Sequence, residues 1–240
     1  MIDLFATFYL ILLVLLMLFS WIASAYGLVL PGGEVVPSLL GADSLRWFVR
    51  HSVENIAAAP IVPVVLVLIM VGAVRSCGVV QGVGCLVRGR QRLPLSRRQQ
   101  YAMRIALAVL GVCLLMVGWG IAAPGGNLLS VTGRIAGGPL SGGWLFILLL
   151  LVCVPCWVYG RVSGLWHTER DVIDAFTAEI ARCSGYFVTL IVGSQLVAAM
   201  HYVHVPDLLG WGDGAVTVLS AIVYGLPLVA EIARSDSNKR

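Results

Sequence analysis

Long uncharged stretches separated by short polar ones dominate this chain. Six of them approach or reach the length of a bilayer crossing: about 5–30, 58–75, 102–123, 143–162, 187–205 and 215–232. Runs of about 18 or more apolar residues mark spanning segments. A helix is the open-ended structure that satisfies its own backbone in hydrocarbon, so these segments are expected as helices. The last is interrupted by Gly225 and Pro227 and closed by Glu231. Two other stretches repeat apolar residues at helical spacing without being apolar throughout. In residues 44–56, Leu45, Phe48, Val49, Val53 and Ile56 share a stripe, with Arg46, Arg50, Glu54 and Asn55 mostly opposite. This predicts an interfacial helix leading into the second span. Pro60 and Pro63 then fall in that span's first turns, where a proline costs least. In residues 168–183 the stripe is Val172, Ile173, Phe176, Ile180 and Cys183. Thr168 stands as N-cap and Asp171 three residues on, as a capping box requires. Glu169, Asp171 and Asp174 crowd the first turns, where acids complement the helix dipole. Glu179 can pair with Arg182 one turn on. The expected role is a solvated connector at the membrane surface.

Composition strengthens this reading. Of 240 residues, 59% are hydrophobic and 12% charged, and the mean hydropathy is +0.94. A soluble domain of this length needs far fewer apolar residues. The expected fold class is therefore all-α: one polytopic membrane domain over 1–240, with six spans and two amphipathic surface helices.

Charge adds an orientation. Residues 75–104 hold seven arginines and no acid, the excess that cytoplasmic loops carry. With that loop inside, both termini fall on the cytoplasmic face of a bacterial inner membrane. Thirteen Lys and Arg then lie inside, and Arg46, Arg50 and Arg134 outside. Such a basic loop between spans marks membrane orientation rather than nucleic-acid binding. Ala23-Ser24-Ala25 has the look of a signal-peptidase site, but Met1-Ile2-Asp3 lacks the basic lead of a signal peptide, so an uncleaved span is expected.

Chemistry-bearing residues are sparse, and neither an enzyme nor a cofactor is implied. Cys153 and Cys156 match C-x-x-C, but deep in a span they read as small apolar residues beside Pro155. His201 and His204 are three apart near the outer end of the fifth span, a candidate metal pair without evident further ligands. Gln195, near the middle of that span, is the candidate substrate-binding residue; it either lines a pore or bridges two helices. Tyr159, Tyr202 and Tyr224 suit an aromatic belt. Gly160 and Gly164 form a G-x-x-x-G that permits close helix packing. Residues 124–143, with seven glycines and two prolines, are expected as an irregular outer loop.

Several segments taken together resemble a known family. Pro155-Cys156-Trp157-Val158-Tyr159-Gly160-Arg161-Val162-Ser163-Gly164 resembles the P-G-x-x-Y-G-x-x-x-G signature of the AbgT family, the p-aminobenzoyl-glutamate transporters. Glu169-Arg170-Asp171-Val172 stands where the family has its acidic "DKDV"-like helix, and Ser184-Gly185-Tyr186 and Ser194-Gln195-Leu196-Val197-Ala198 are similar to the elements that follow. Ser20 to Gly27, Leu39 to Trp47 and Gly72 to Val79 resemble the end of the first span and the approach to and exit from the second. The signature residues carried over are Pro155, Tyr159, Gly160, Gly164 and Asp171. The resemblance implies a membrane transporter for p-aminobenzoyl-glutamate or a related folate-pathway compound, driven by a cation gradient. It also implies that the two re-entrant hairpins bearing the family's transport site have no counterpart here. A homodimer or a partner subunit would then complete the site. The alternative is a membrane scaffold or accessory subunit that does not itself transport.

Overall fold

Residues 2–30, 33, 35–78, 96–122 and 139–237 are described by the structure, a computed structural model. Their elements are α1 (Ile2–Ala25), α2 (Ala42–Ala57), α3 (Ile61–Cys77), α4 (Arg97–Ala122), α5 (Pro139–Ser163), α6 (Glu169–Arg182), α7 (Ser184–Tyr202), α8 (Val205–Leu208) and α9 (Asp213–Ser237). Among the described residues the β structure is one isolated bridge, Val29 to Val35. Among the described residues six segments are long and apolar enough to cross a membrane, with α2 and α3 counted together as one. The protein is an all-α polytopic membrane protein.

Several boundaries differ from expectation for local reasons. The first span stops at Ala25 rather than near residue 30. Gly27 takes the left-handed conformation (φ 63°), its N–H donates to Ser24 O, and the Leu28 N–H returns to Ala23 O at 2.9 Å. This paired closure ends a helix even where the following residues are apolar. The expected outer loop 124–143 ends early, because Pro139 opens α5; a proline's missing N–H costs nothing at that position. The rest of that loop, and the arginine-bearing stretch 79–95, lie outside the described residues.

The chain divides into two compact units. One comprises Met1–Ile61 with Arg182–Arg240, and the other Val62–Ala181. In the first unit α7 is central, and α1, α2, α8 and α9 pack on it. Tyr9 clusters with Leu196 and Val223, while Ala23 clusters with Ala199 and Val203. Position advances together along α1 and α7, so the two helices run parallel. Close approach is possible at Gly193, where a Cβ would lie 3.2 Å from Val223 and 3.6 Å from the Tyr9 ring.

α2 behaves as an amphipathic helix turned inside out relative to a soluble one. Leu45, Val49 and Val53 of its apolar stripe stay exposed, as contact with lipid requires. Its contacts with protein come from other faces. Ser44 Oγ lies 2.9 Å from the Tyr202 hydroxyl, and the Trp47 ring stacks on Tyr202 at 4.2 Å. The helix therefore runs along α7 rather than lying free on the surface.

In the second unit α4 and α5 form an antiparallel pair, with the start of α4 against the end of α5. Their shared core also takes residues of α3 and α6: Met70 and Ala73, Ala102 and Ala106, Cys156 and Tyr159, and Val172 and Ala175 all belong to one buried cluster. The packing is concentrated at the arginine-bearing end of these helices. The far half of α4 is largely uncovered.

Candidate functional site

Gln195 sits mid-span on α7 and is 9% exposed. Its Nε2 donates to Ser52 O at 2.9 Å, and its Oε1 accepts from Asn55 Nδ2 at 3.1 Å. Both partners lie on α2. Of the two roles open to an in-membrane amide, the structure gives helix bridging. An amide left unpaired in hydrocarbon would cost several kcal/mol, of order the desolvation penalty of a polar group. Hydropathy alone could not name Asn55 as the partner, because 140 residues separate the two.

A second polar arrangement lies where Pro227 interrupts α9. Proline has no N–H, so the carbonyl four residues earlier, that of Val223, loses its helical donor. The Tyr9 hydroxyl of α1 donates to that carbonyl at 2.9 Å. The Tyr186 hydroxyl of α7 donates to the adjacent carbonyl, Tyr224 O, at 2.8 Å. The hydroxyl from α1 thus satisfies the carbonyl that the proline frees, as a bilayer demands, and the hydroxyl from α7 adds a bond to the next carbonyl. The Tyr224 backbone thus joins this internal network, and its ring packs partly buried beside Tyr9, Leu196 and Val223. Tyr159 is 2% exposed within the second unit's core, and Tyr202 is held by Ser44 and Trp47. The belt expectation therefore fails for Tyr159, whose ring is enclosed by its own unit, while Tyr202 does stand at the end of α7.

The signature residues build a corner between α5 and α6. Gly164 adopts φ 77°, its N–H donates to Arg161 O, and the Leu165 N–H closes on Gly160 O at 3.0 Å. Trp166 then folds back over Gly160, where a Cβ would lie 2.2 Å from the indole. The G-x-x-x-G is therefore a helix stop with a ring seated on it, not a helix–helix face. A left-handed residue and a helix-packing residue look identical at the level of spacing. Arg98 at the start of α4 donates from Nε to Val162 O at 3.0 Å, capping a carbonyl that the stop leaves open. Arg161 donates to His167 O at 2.8 Å and pairs with Glu169.

The start of α6 is the capping box its sequence announces. Asp171 Oδ2 accepts from the N–H groups of Thr168 and His167, both at 2.8 Å, and Thr168 Oγ1 accepts from the Asp171 N–H at 3.2 Å. These bonds favour the carboxylate and hold its pKa below the ordinary aspartate value.

The far end of α6 departs from expectation. Glu179 is completely buried and accepts from Arg75 Nη1 at 3.0 Å. The sequence offers Arg182, one turn on, as a partner, and the burial against α3 comes from the fold. Next to it Ser76 Oγ donates to Ala175 O at 3.1 Å. Gly72 lets the backbones meet, since a Cβ there would stand 2.8 Å from Phe176 O. α6 is thus clamped to α3 and is not a solvated connector. Arg75 follows an uncharged run in the sequence and so reads there as a topological charge; its partner, 104 residues away, appears only in the fold.

The remaining candidates do not assemble a reactive centre. Cys153 and Cys156 are buried together with Cys77 in the second unit's core. The histidine pair presupposes a continuing helix, yet α7 ends at Tyr202 and His204 is left-handed (φ 57°). His204 Nδ1 lies 2.9 Å from Asp207 Oδ2. Among the described residues no group of three or more His, Cys, Asp or Glu could hold a metal ion.

The described architecture is that of a polytopic membrane protein with an amphipathic corner and polar groups joined helix to helix. The AbgT transporter family model matches residues 87–231, more than half of the chain, and the chain belongs to that family. It is similar in fold to the YdaH transporter of Alcanivorax borkumensis, with TM-score 0.74 and 16% identity over 85% of this chain and 71% of that one. It is also similar to MtrF of Neisseria gonorrhoeae, of a class of antimetabolite efflux pumps, with TM-score 0.70 and 16% identity over 84% and 69% of the two chains. No curated protein sequence matches it.

Proposed function

We propose that this chain serves the transport of p-aminobenzoyl-glutamate or related folate-pathway compounds, sulfonamide-like antimetabolites included, across a bacterial cytoplasmic membrane. The observation that carries the reading is the family match over residues 87–231. The efflux function described for MtrF supports the wider substrate class. Parallel α1 and α7 agree with an alternating six-span topology that keeps both termini cytoplasmic.

The transport site is completed by a second copy or a partner subunit. What supports this is how the mid-span polar groups are used. Gln195, Tyr9 and Tyr186 spend their hydrogen bonds on neighbouring helices of their own unit, whereas a transport site needs polar groups facing a cavity. The same observation favours the second reading, a scaffold that does not transport. Liposomes holding the purified chain alone separate the two when given labelled p-aminobenzoyl-glutamate across an imposed cation gradient. Saturable uptake above empty liposomes supports transport by copies of this chain. Background uptake removes autonomous transport of that compound and leaves the scaffold or partner-dependent forms.

A further inference from the structure

One face of α4 carries charge that no carboxylate among the described residues neutralises. Arg97, Tyr101 and Arg104 follow one another at i, i+4 and i+7, within an arc of about 60° on a helix turning about 100° per residue. All three are exposed, Tyr101 at 63%. Neither arginine pairs with a carboxylate among the described residues, although the neighbouring arginines do bind: Arg98 to Val162 O and Arg161 to Glu169. The nearby acids are engaged elsewhere, Glu169 with Arg161 and Asp171 with its own helix start.

The position of Arg104 decides what can meet it. It is followed by 18 residues without a charge, Ile105 to Ala122. At about 1.5 Å per residue these cover about 27 Å, close to the roughly 30 Å of a hydrocarbon core. Its guanidinium therefore emerges at the boundary between acyl chains and headgroups. A charge there turns toward the interface and takes its counter-charge at that level. Below it the same stripe continues through Ala108, Val112 and Leu115, all exposed, which suits acyl chains rather than water. Arg97 lies two turns above, about 10 Å along the helix, within reach of the same headgroup when the two side chains converge. The phenol of Tyr101 lies between them as a donor at interface depth.

We propose that Arg97, Tyr101 and Arg104 form a binding site for one anionic phospholipid in the leaflet on the arginine-rich side of the membrane. The guanidinium groups hold the headgroup phosphate as planar donors, and the acyl chains run along the exposed stripe of α4.

The test is native mass spectrometry of the full chain in detergent, titrated with phosphatidylglycerol or with phosphatidylcholine of the same acyl chains. The expected result is a saturable phosphatidylglycerol adduct that phosphatidylcholine does not match. R97Q/R104Q should weaken it at least tenfold, and R97K/R104K, which keeps the charge but loses the planar fork, should weaken it less. R50Q, which removes an exposed arginine of α2, should leave it unchanged. If the double glutamine variant does not fold, as judged by size exclusion and circular dichroism, R97Q and R104Q singly should each weaken binding several-fold. Equal occupancy by the two lipids, or phosphatidylglycerol binding unaltered in the folded glutamine variants, overturns the proposal.

Discussion

Replacing Tyr9 by Phe deletes one oxygen, and the structure says what that oxygen does. It donates to Val223 O at 2.9 Å in a buried setting. That carbonyl lacks a helical donor because the residue four positions on is Pro227. Tyr9→Phe therefore leaves a buried acceptor unsatisfied and is expected to cost about 1–3 kcal/mol. Burial of the ring itself is unchanged, so no cavity term is added. The cost depends on the proline. In a Pro227→Ala background residue 227 regains its N–H and α9 can close on Val223 O. Tyr9→Phe should then cost less than about 1 kcal/mol, giving a coupling of roughly 1–2 kcal/mol in a double-mutant cycle. Unfolding in mixed micelles on SDS titration, followed by circular dichroism, supplies the four free energies. An equal cost of Tyr9→Phe in both backgrounds would refute the account, since the hydroxyl would then be serving something other than the proline-freed carbonyl.

Glu179→Gln removes the buried negative charge that faces Arg75 and should destabilise the second unit by about 3–5 kcal/mol, whereas joint replacement of the pair by apolar residues should cost much less; the same titration measures both. Gly160→Leu must displace Trp166, whose indole occupies the space of the new side chain, so tryptophan emission should shift to the red and the melting temperature should fall. Asp171→Asn should loosen the start of α6, read as faster hydrogen exchange at residues 168–172. Because folding lowers the Asp171 pKa, the wild-type contribution is complete above the ordinary aspartate range and disappears as pH falls through the lower folded value; the variant should lack that acid-side change. Gln195→Leu removes the bridge to α2 and should raise protease sensitivity around residues 44–57 while leaving the second unit's melting unchanged.

The sequence by itself determined the class of protein and most of its elements. Uncharged runs long enough for a bilayer can only be helices, and the Thr168–Asp171 box needs no tertiary help, because its partners lie within one turn. The resemblance carried by Pro155, Tyr159, Gly160, Gly164 and Asp171 was likewise legible, because such a corner is built from short-range spacing. What the spacing hid was role. Gly160 and Gly164 read equally well as a packing face or as a stop, and the choice came from the φ of one residue and the return of Trp166. Tertiary structure alone decided which distant polar groups meet: Arg75 with Glu179, Gln195 with Asn55, and Tyr9 with the carbonyl that Pro227 frees. The physical reason is that hydropathy reports where a segment resides, while hydrogen bonding in a low-dielectric interior depends on donors and acceptors being placed within about 3 Å of each other. Only the packing of helices far apart in the chain sets that distance.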